Sequence, residues 1–269
     1  MFPNLPNTAR AVTFYVIAFI LVFAIAANPG TFGEASPPLS MLTSITSVLI
    51  MMMIITREGW SKEGWHSLGL FTAGLKGWWV AFLFPAAVLV ICNIVLLVLG
   101  LASFGMAESD KSALQMATNV GAGLFISIGF AFCEEIGWRG YMLPKLLGIG
   151  AVAAVFVVGF LQGLWHLPLM LMTPFYHAEG NPMIVVPLFL VTLTLAGAFF
   201  GFLRLWTGSV WPAAIAHGVF NLVWNLGSEV IKADRPETTE YIGGESGVLI
   251  IIALIITALV LVPKIRSYA

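Results

Sequence analysis

Three polar clusters stand in a chain that is otherwise almost entirely hydrocarbon: Glu134-Glu135-x-x-x-Arg139, His166, and His217-x-x-x-Asn221. Charged residues make up 9% of the 269-residue chain and apolar residues 59%, so an acid pair or a histidine inside an apolar run needs a reason. An ionisable group near the middle of a bilayer costs about 2.5–3.5 kcal/mol on insertion scales. Carboxylate, imidazole and carboxamide groups gathered away from bulk water suit hydrolysis, in which a base activates water and fixed donors receive the developing oxyanion.

In the first cluster, Glu135 and Arg139 are four residues apart and share a helix face, so they are expected to pair. Glu134 points about 100° away on the same turn and has no partner in its own segment. An ion pair closing a helix explains Glu135 and Arg139 but leaves Glu134 over, and an unpaired carboxylate in a low-dielectric setting is poised to act as a general base. The assignment is Glu134 as base, with Glu135 and Arg139 as the supporting pair.

His166 lies in Gly163-Leu-Trp-His166-Leu-Pro168. Pro168 disfavours helical geometry at Leu167 and removes a donor, which predicts a kink beside the histidine. Gln162, one turn earlier, would orient the ring or line the same cavity. His217 and Asn221 project together at i and i+4. Ser209 is the expected N-cap of their helix, and Pro212 falls in the first turn where a missing N–H is tolerated. Interhelical hydrogen bonding would by itself account for Asn221, and for Asn225 one turn further on.

Helices must hold these groups. The mean hydropathy of +0.98 points to spans of about 20 apolar residues crossing roughly 30 Å of hydrocarbon. Eight are legible, at about Ala11–Ala27, Leu39–Ile55, Trp78–Phe104, Ala117–Leu147, Ala151–Met172, Ile184–Leu205, Val210–Leu226 and Gly247–Val262. Backbone in lipid must satisfy its own hydrogen bonds, so the class is an all-α polytopic bundle, read as one integral-membrane domain over 1–269 with its motifs at about 117–226. The first segment, preceded only by Arg10 and without a small-residue cleavage site, is expected to be a retained span.

With the N-terminus inside, nine basic residues fall on cytoplasmic segments (Arg10, Arg57, Lys62, Lys76, Arg139, Lys145, Arg204, Lys264 and Arg266), against Lys111, Lys232 and Arg235 outside. Both termini are therefore expected in the cytoplasm. By the rise of 1.5 Å per residue, Glu134, His166 and His217 lie roughly 20, 22 and 10 Å from the cytoplasmic ends of their spans, compatible with one polar cavity reached from that side. The acidic stretch Ser228–Ser246 reads as a solvated outer cap. Trp60, Trp65, Trp78 and Trp79 flank basic residues and read as interfacial anchors. Cys92 and Cys133 fall in apolar helices and pack as small hydrophobes. The net charge of −1 says nothing about partners, and no basic patch points to nucleic acid.

The motif set resembles the CAAX protease and bacteriocin-processing (CPBP, or Abi) family, which includes the Ras-converting CAAX endopeptidase. Cys133-Glu134-Glu135-Ile136-Gly137-Trp138-Arg139-Gly140 is similar to its first motif, Gly163-Leu-Trp-His166-Leu-Pro168 to its second, and Ala216-His217-Gly218-Val219-Phe220-Asn221 to its third. Order and spacing agree over about Phe125–Asn225. Gln162 departs from the pattern, standing where the second motif often carries an aromatic residue. The resemblance implies an eight-helix protease of the cell membrane, with its site opening toward the cytoplasm. In it Glu134 and His166 polarise the attacking water, and His217 and Asn221 donate to the oxyanion. No cofactor is implied.

Rival chemistries are weaker. Zinc held by Glu134, His166 and His217 would leave a fourth position for water, but the His-Glu-x-x-His pair of most zinc proteases is missing. Cys133 lacks a basic neighbour to activate it, and no nucleophile elbow carries a serine. A proton-coupled transporter would also use intramembrane Glu and His, yet no inverted repeat with broken helices is evident. A non-catalytic immunity or scaffold protein would not need the full set. The substrate is a membrane-associated peptide or a lipidated C-terminus of the Cys-a-a-X kind. Nothing in the sequence chooses between the two.

Overall fold

The computed structural model describes residues 4–105, 113–177 and 180–268; Lys111 lies outside the described residues. The apolar runs form eight long helices: α1 (Asn7–Ala26), α2 (Ser36–Leu49), α3 (Trp78–Val98), α4 (Ala113–Glu135), α5 (Ala151–Met172), α6 (Pro182–Thr207), α7 (Trp211–Val230) and α8 (Val248–Ile265). A multi-pass membrane bundle results, because a helix bonds its own backbone and can sit in hydrocarbon.

Among the described residues, seven stretches are long and apolar enough to cross a membrane. The eighth expected span exists as α7 but falls short of that apolarity, since His217, Asn221 and Asn225 are three of its 20 residues. The expected span Trp78–Phe104 ends as a helix at Val98, and Ala102–Phe104 is instead a strand, β1. It pairs antiparallel with β2 (Ile231–Ala233), Ala102 opposite Ala233.

Both α2 and α4 leave regular geometry. α2 continues as a π-helical segment, Ile50–Ile55, which buries Met51 and Met52 and exposes Met53. α4 runs into a second, Ile136–Met142, and then a turn of α-helix at Leu143–Leu146. α5 does not break at Pro168 but runs on to Met172.

α5 packs on α6, α7 on α3 and α4, α8 on α6, and α1 on α2 and α5. Glycines set the α5–α6 approach. A Cβ on Gly197 would stand 2.4 Å from the Val155 carbonyl oxygen, and one on Gly201 2.4 Å from Val155 Cγ1. That G-x-x-x-G pair therefore serves packing inside the bundle.

The connections define two faces. On one, Glu58 binds Arg10 and Lys145 (Nζ 2.6 Å), Arg204 donates to the Ser67 carbonyl at 3.0 Å, and Trp211 to that of Leu70 at 2.9 Å. α1 begins at this face and α8 ends there, its tail Arg266–Tyr268 touching α5. The opposite face carries β1 and β2, the α5–α6 connection and the segment between β2 and α8, where Asn181 N–H donates to the Tyr241 hydroxyl at 2.6 Å.

Candidate active site

Glu134 and Glu135 end the regular part of α4, and Arg139 sits within the π-helical segment that follows. Such segments re-aim side chains and recur at functional sites. Gly137 and Gly140 let this one pack tightly: a Cβ on Gly137 would collide with Ser44 Oγ and Phe14, and one on Gly140 would lie 3.2 Å from the Leu68 carbonyl oxygen.

Arg139 is fully buried and gives Nη1 to Glu135 Oε1 at 2.9 Å, as the spacing predicts. It also donates to Gln162 Oε1, and its guanidinium lies 4.9 Å from the Phe200 ring centroid. His217 Nδ1 is 3.0 Å from the same Glu135 oxygen. Glu135 thus anchors two motifs at once.

Glu134 is not left over, as its own segment suggested. Gln162 on α5 donates Nε2 to Glu134 Oε2 at 3.1 Å, and Ser44 holds the Glu134 backbone carbonyl at 3.1 Å. Gln162 also accepts His166 Nδ1 on its main-chain oxygen at 2.8 Å. A carbonyl can only accept, so Nδ1 bears the hydrogen and Nε2 of the neutral ring keeps its lone pair. Trp165, Phe189 and Tyr176 wall the ring, with centroids 4.6, 5.2 and 5.7 Å away. Gln162 thereby ties the first sequence cluster to the second, as Glu135 ties the first to the third.

Glu134, His166, His217 and Asn221 all line one cavity of about 460 Å³, together with Gln162 and Asn225. Glu135 and Arg139 stand behind its wall. Ser209 contributes at the start of α7 from one residue before the cap position, its Oγ accepting the Trp211 N–H at 3.2 Å. Cys133 and Cys92 are free thiols outside the cavity lining. No three His, Cys, Asp or Glu side chains among the described residues are gathered so as to hold a metal ion.

A second polar group closes the far end of the cavity, and sequence reasoning missed it. His177 Nδ1 lies 2.7 Å from Glu240 Oε2 and its Nε2 3.4 Å from Glu245 Oε2, while the Tyr176 hydroxyl donates to Glu245 Oε1 at 3.2 Å. His177 adopts φ of +50°, uncommon for a residue with a side chain. Burial alone would lower its pKa, but the hydrogen bonds and charges of Glu240 and Glu245 outweigh that and raise it to about 9. The tyrosine hydroxyl is pushed well above its ordinary range by burial and by those carboxylates. Part of the acidic stretch read as a solvated cap thus faces inward. Its partners lie 63 and 68 residues away across two helices, a pairing no local pattern announces.

Residues 116–223 match the family model of the type II CAAX prenyl endopeptidase, Rce1-like. That segment is Rce1-like. This is the CAAX protease family that the motifs resemble, and the matched segment includes Glu134, Glu135, Arg139, His166, His217 and Asn221. The Rce1-like segment supplies α4 to α7 up to Val223, while α1, α2, α3 and α8 complete the cavity wall and packing around it. No curated protein matches the chain.

Proposed function

We propose that the chain is a single-domain intramembrane endopeptidase that cleaves a membrane-associated peptide or a CAAX-type C-terminus through a water activated by Glu134. The observation that carries this reading is that Glu134, His166, His217 and Asn221 line one cavity within the Rce1-like segment.

In this reading Glu134 accepts a proton from water as the water oxygen bonds to the scissile carbonyl carbon. His166, its Nδ1–H held by Gln162, offers Nε2 to the same water. The carbonyl electrons move onto oxygen, where Asn221 supplies an amide N–H. His217 supplies Nε2–H when its ring carries a second proton, its Nδ1 being turned to the Glu135 carboxylate at 3.0 Å. The tetrahedral intermediate then collapses, the C–N bond breaks, and the proton held by Glu134 passes to the leaving amine. One oxyanion donor typically contributes about 2.7–4 kcal/mol of barrier lowering. Arg139 touches no reacting atom; it pairs with Glu135 and holds Gln162 in place.

The test is cleavage of an internally quenched farnesylated Cys-a-a-X peptide and an unlipidated counterpart by detergent-purified protein. Glu134→Ala should abolish cleavage, and a chelator should leave it intact. Activity lost to chelator and restored by zinc would replace the mechanism but keep the peptidase. Activity retained by Glu134→Ala would remove the glutamate from the chemistry.

A further inference from the structure

The cavity does not sit midway between the two faces. α2 lends it Pro37 from its first turn, α8 lends Ile250 from its first turn, and the α5–α6 connection lends Phe175 and His177. Every one of these belongs to the face opposite the chain termini. No lining residue comes from 57–77, 143–150 or 204–210, the connections of the face where the termini lie. Glu134 and His217 form its deep end, and the His177, Glu240 and Glu245 cluster lies at its shallow end.

Charge fixes which face is which. Eight basic residues lie with the termini, Arg139 having turned inward into the site, whereas Lys232 and Arg235 are the basic residues described on the cavity face. That cavity face also carries Glu229, Asp234, Glu237, Glu240 and Glu245. Short loops rich in Lys and Arg stay in the cytoplasm. The termini and the cavity therefore cannot share a side.

We propose that the cavity faces away from the cytoplasm, and that its substrate is a peptide segment presented at the non-cytoplasmic surface. The substrate clause rests on the peptidase reading above; the placement of the cavity does not. A C-terminus lipidated in the cytoplasm would meet the basic face, separated from Glu134 by the packed π-helical segment and the Glu135–Arg139 pair. A peptide reaching the outer surface would meet the His177 cluster and pass directly into the cavity.

Topology is measured without reference to catalysis. Single cysteines are placed in the full chain at exposed sites of the cavity face (Asp234→Cys, Glu237→Cys) and of the terminal face (Lys62→Cys, Ser267→Cys). Intact cells are treated with a membrane-impermeant maleimide, before and after permeabilisation, with the unsubstituted chain giving the background from Cys92 and Cys133. Labelling of the first pair in intact cells, and of the second pair only after permeabilisation, is the expected result. The reverse pattern overturns the proposal while leaving the peptidase reading untouched.

The substrate clause is tested with a quenched unlipidated peptide added outside right-side-out or inside-out vesicles. Glu134-dependent cleavage should occur in the first and fall at least tenfold in the second. Cleavage confined to inside-out vesicles overturns it. Should detergent-purified protein cleave no peptide at all, the peptidase reading and its substrate clause fail together, and the labelling pattern still decides where the cavity faces.

Discussion

The side-chain nitrogen of Gln162 stands 3.1 Å from Oε2 of Glu134. With its other amide atom on Arg139 and its main-chain oxygen on His166, Gln162 holds a fixed orientation and makes Glu134 hold one too.

Gln162→Leu keeps the volume but removes both amide contacts, leaving buried polar groups without partners at about 1–3 kcal/mol each. The expected result is a fall of about 10- to 100-fold in kcat with KM little changed, since the base is misplaced rather than the peptide site altered. An unchanged kcat would show that Gln162 only fills space.

Arg139→Ala strands Glu135 in a buried setting, where breaking a buried pair by removing one partner costs about 3–5 kcal/mol. Thermal unfolding in detergent should show a large drop in Tm. The double variant Arg139→Leu with Glu135→Leu should recover much of that stability but none of the activity, because His217 then loses its anchor. A double variant as unstable as the single one would contradict the pairing.

Gly197→Leu forces a side chain into a contact already closed by Val155. Overpacking of this kind costs about 1–3 kcal/mol. Reduced thermal stability with the cavity residues unchanged is the expected outcome, and an unaltered Tm would mean that α5 and α6 can separate freely.

His177, raised to about 9 in the folded chain from the ordinary 6.5, stabilises through its charged form. That contribution is complete below about pH 6.5 and disappears as pH rises through about 9, since proton loss then costs the folded state its ion pairs. The stability difference between the unsubstituted chain and His177→Gln should therefore shrink between these pH values. A difference that stays constant with pH would mean the histidine is held by packing alone.

The helices and the motif residues were legible because lipid imposes length and because a charge in hydrocarbon is conspicuous. Glu135–Arg139 followed from spacing of four, and the pairing of His217 with Asn221 on one face from the same rule. Less could be read of Glu134, whose partner arrives from another helix 28 residues away. The π-helical geometry at 136–142 had only Gly137 and Gly140 as a hint, since the groups that crowd it there, Ser44, Phe14 and the Leu68 carbonyl, come from distant parts of the chain. The side on which the cavity opens was not legible for the same reason. Distances along single spans could not show that Pro37 of α2, the α5–α6 connection and Ile250 of α8 line the end of the cavity remote from the termini, the observation on which the proposed outward opening rests.

Between the loops, β1 and β2 join the end of α3 to the end of α7 through main-chain bonds, extended by Gly105 N–H to the Val230 carbonyl at 2.9 Å and Asp234 N–H to that of Leu101 at 3.2 Å. These bonds do not depend on side chains or protonation. The roof of the chamber thus has a riveted edge along α3 and α7 and a releasable one where His177 meets the two glutamates. A guest large enough to need the roof lifted would swing it from the riveted side, so the helix carrying His217 and Asn221 would stay still while the wall around His166 and Tyr176 gives way.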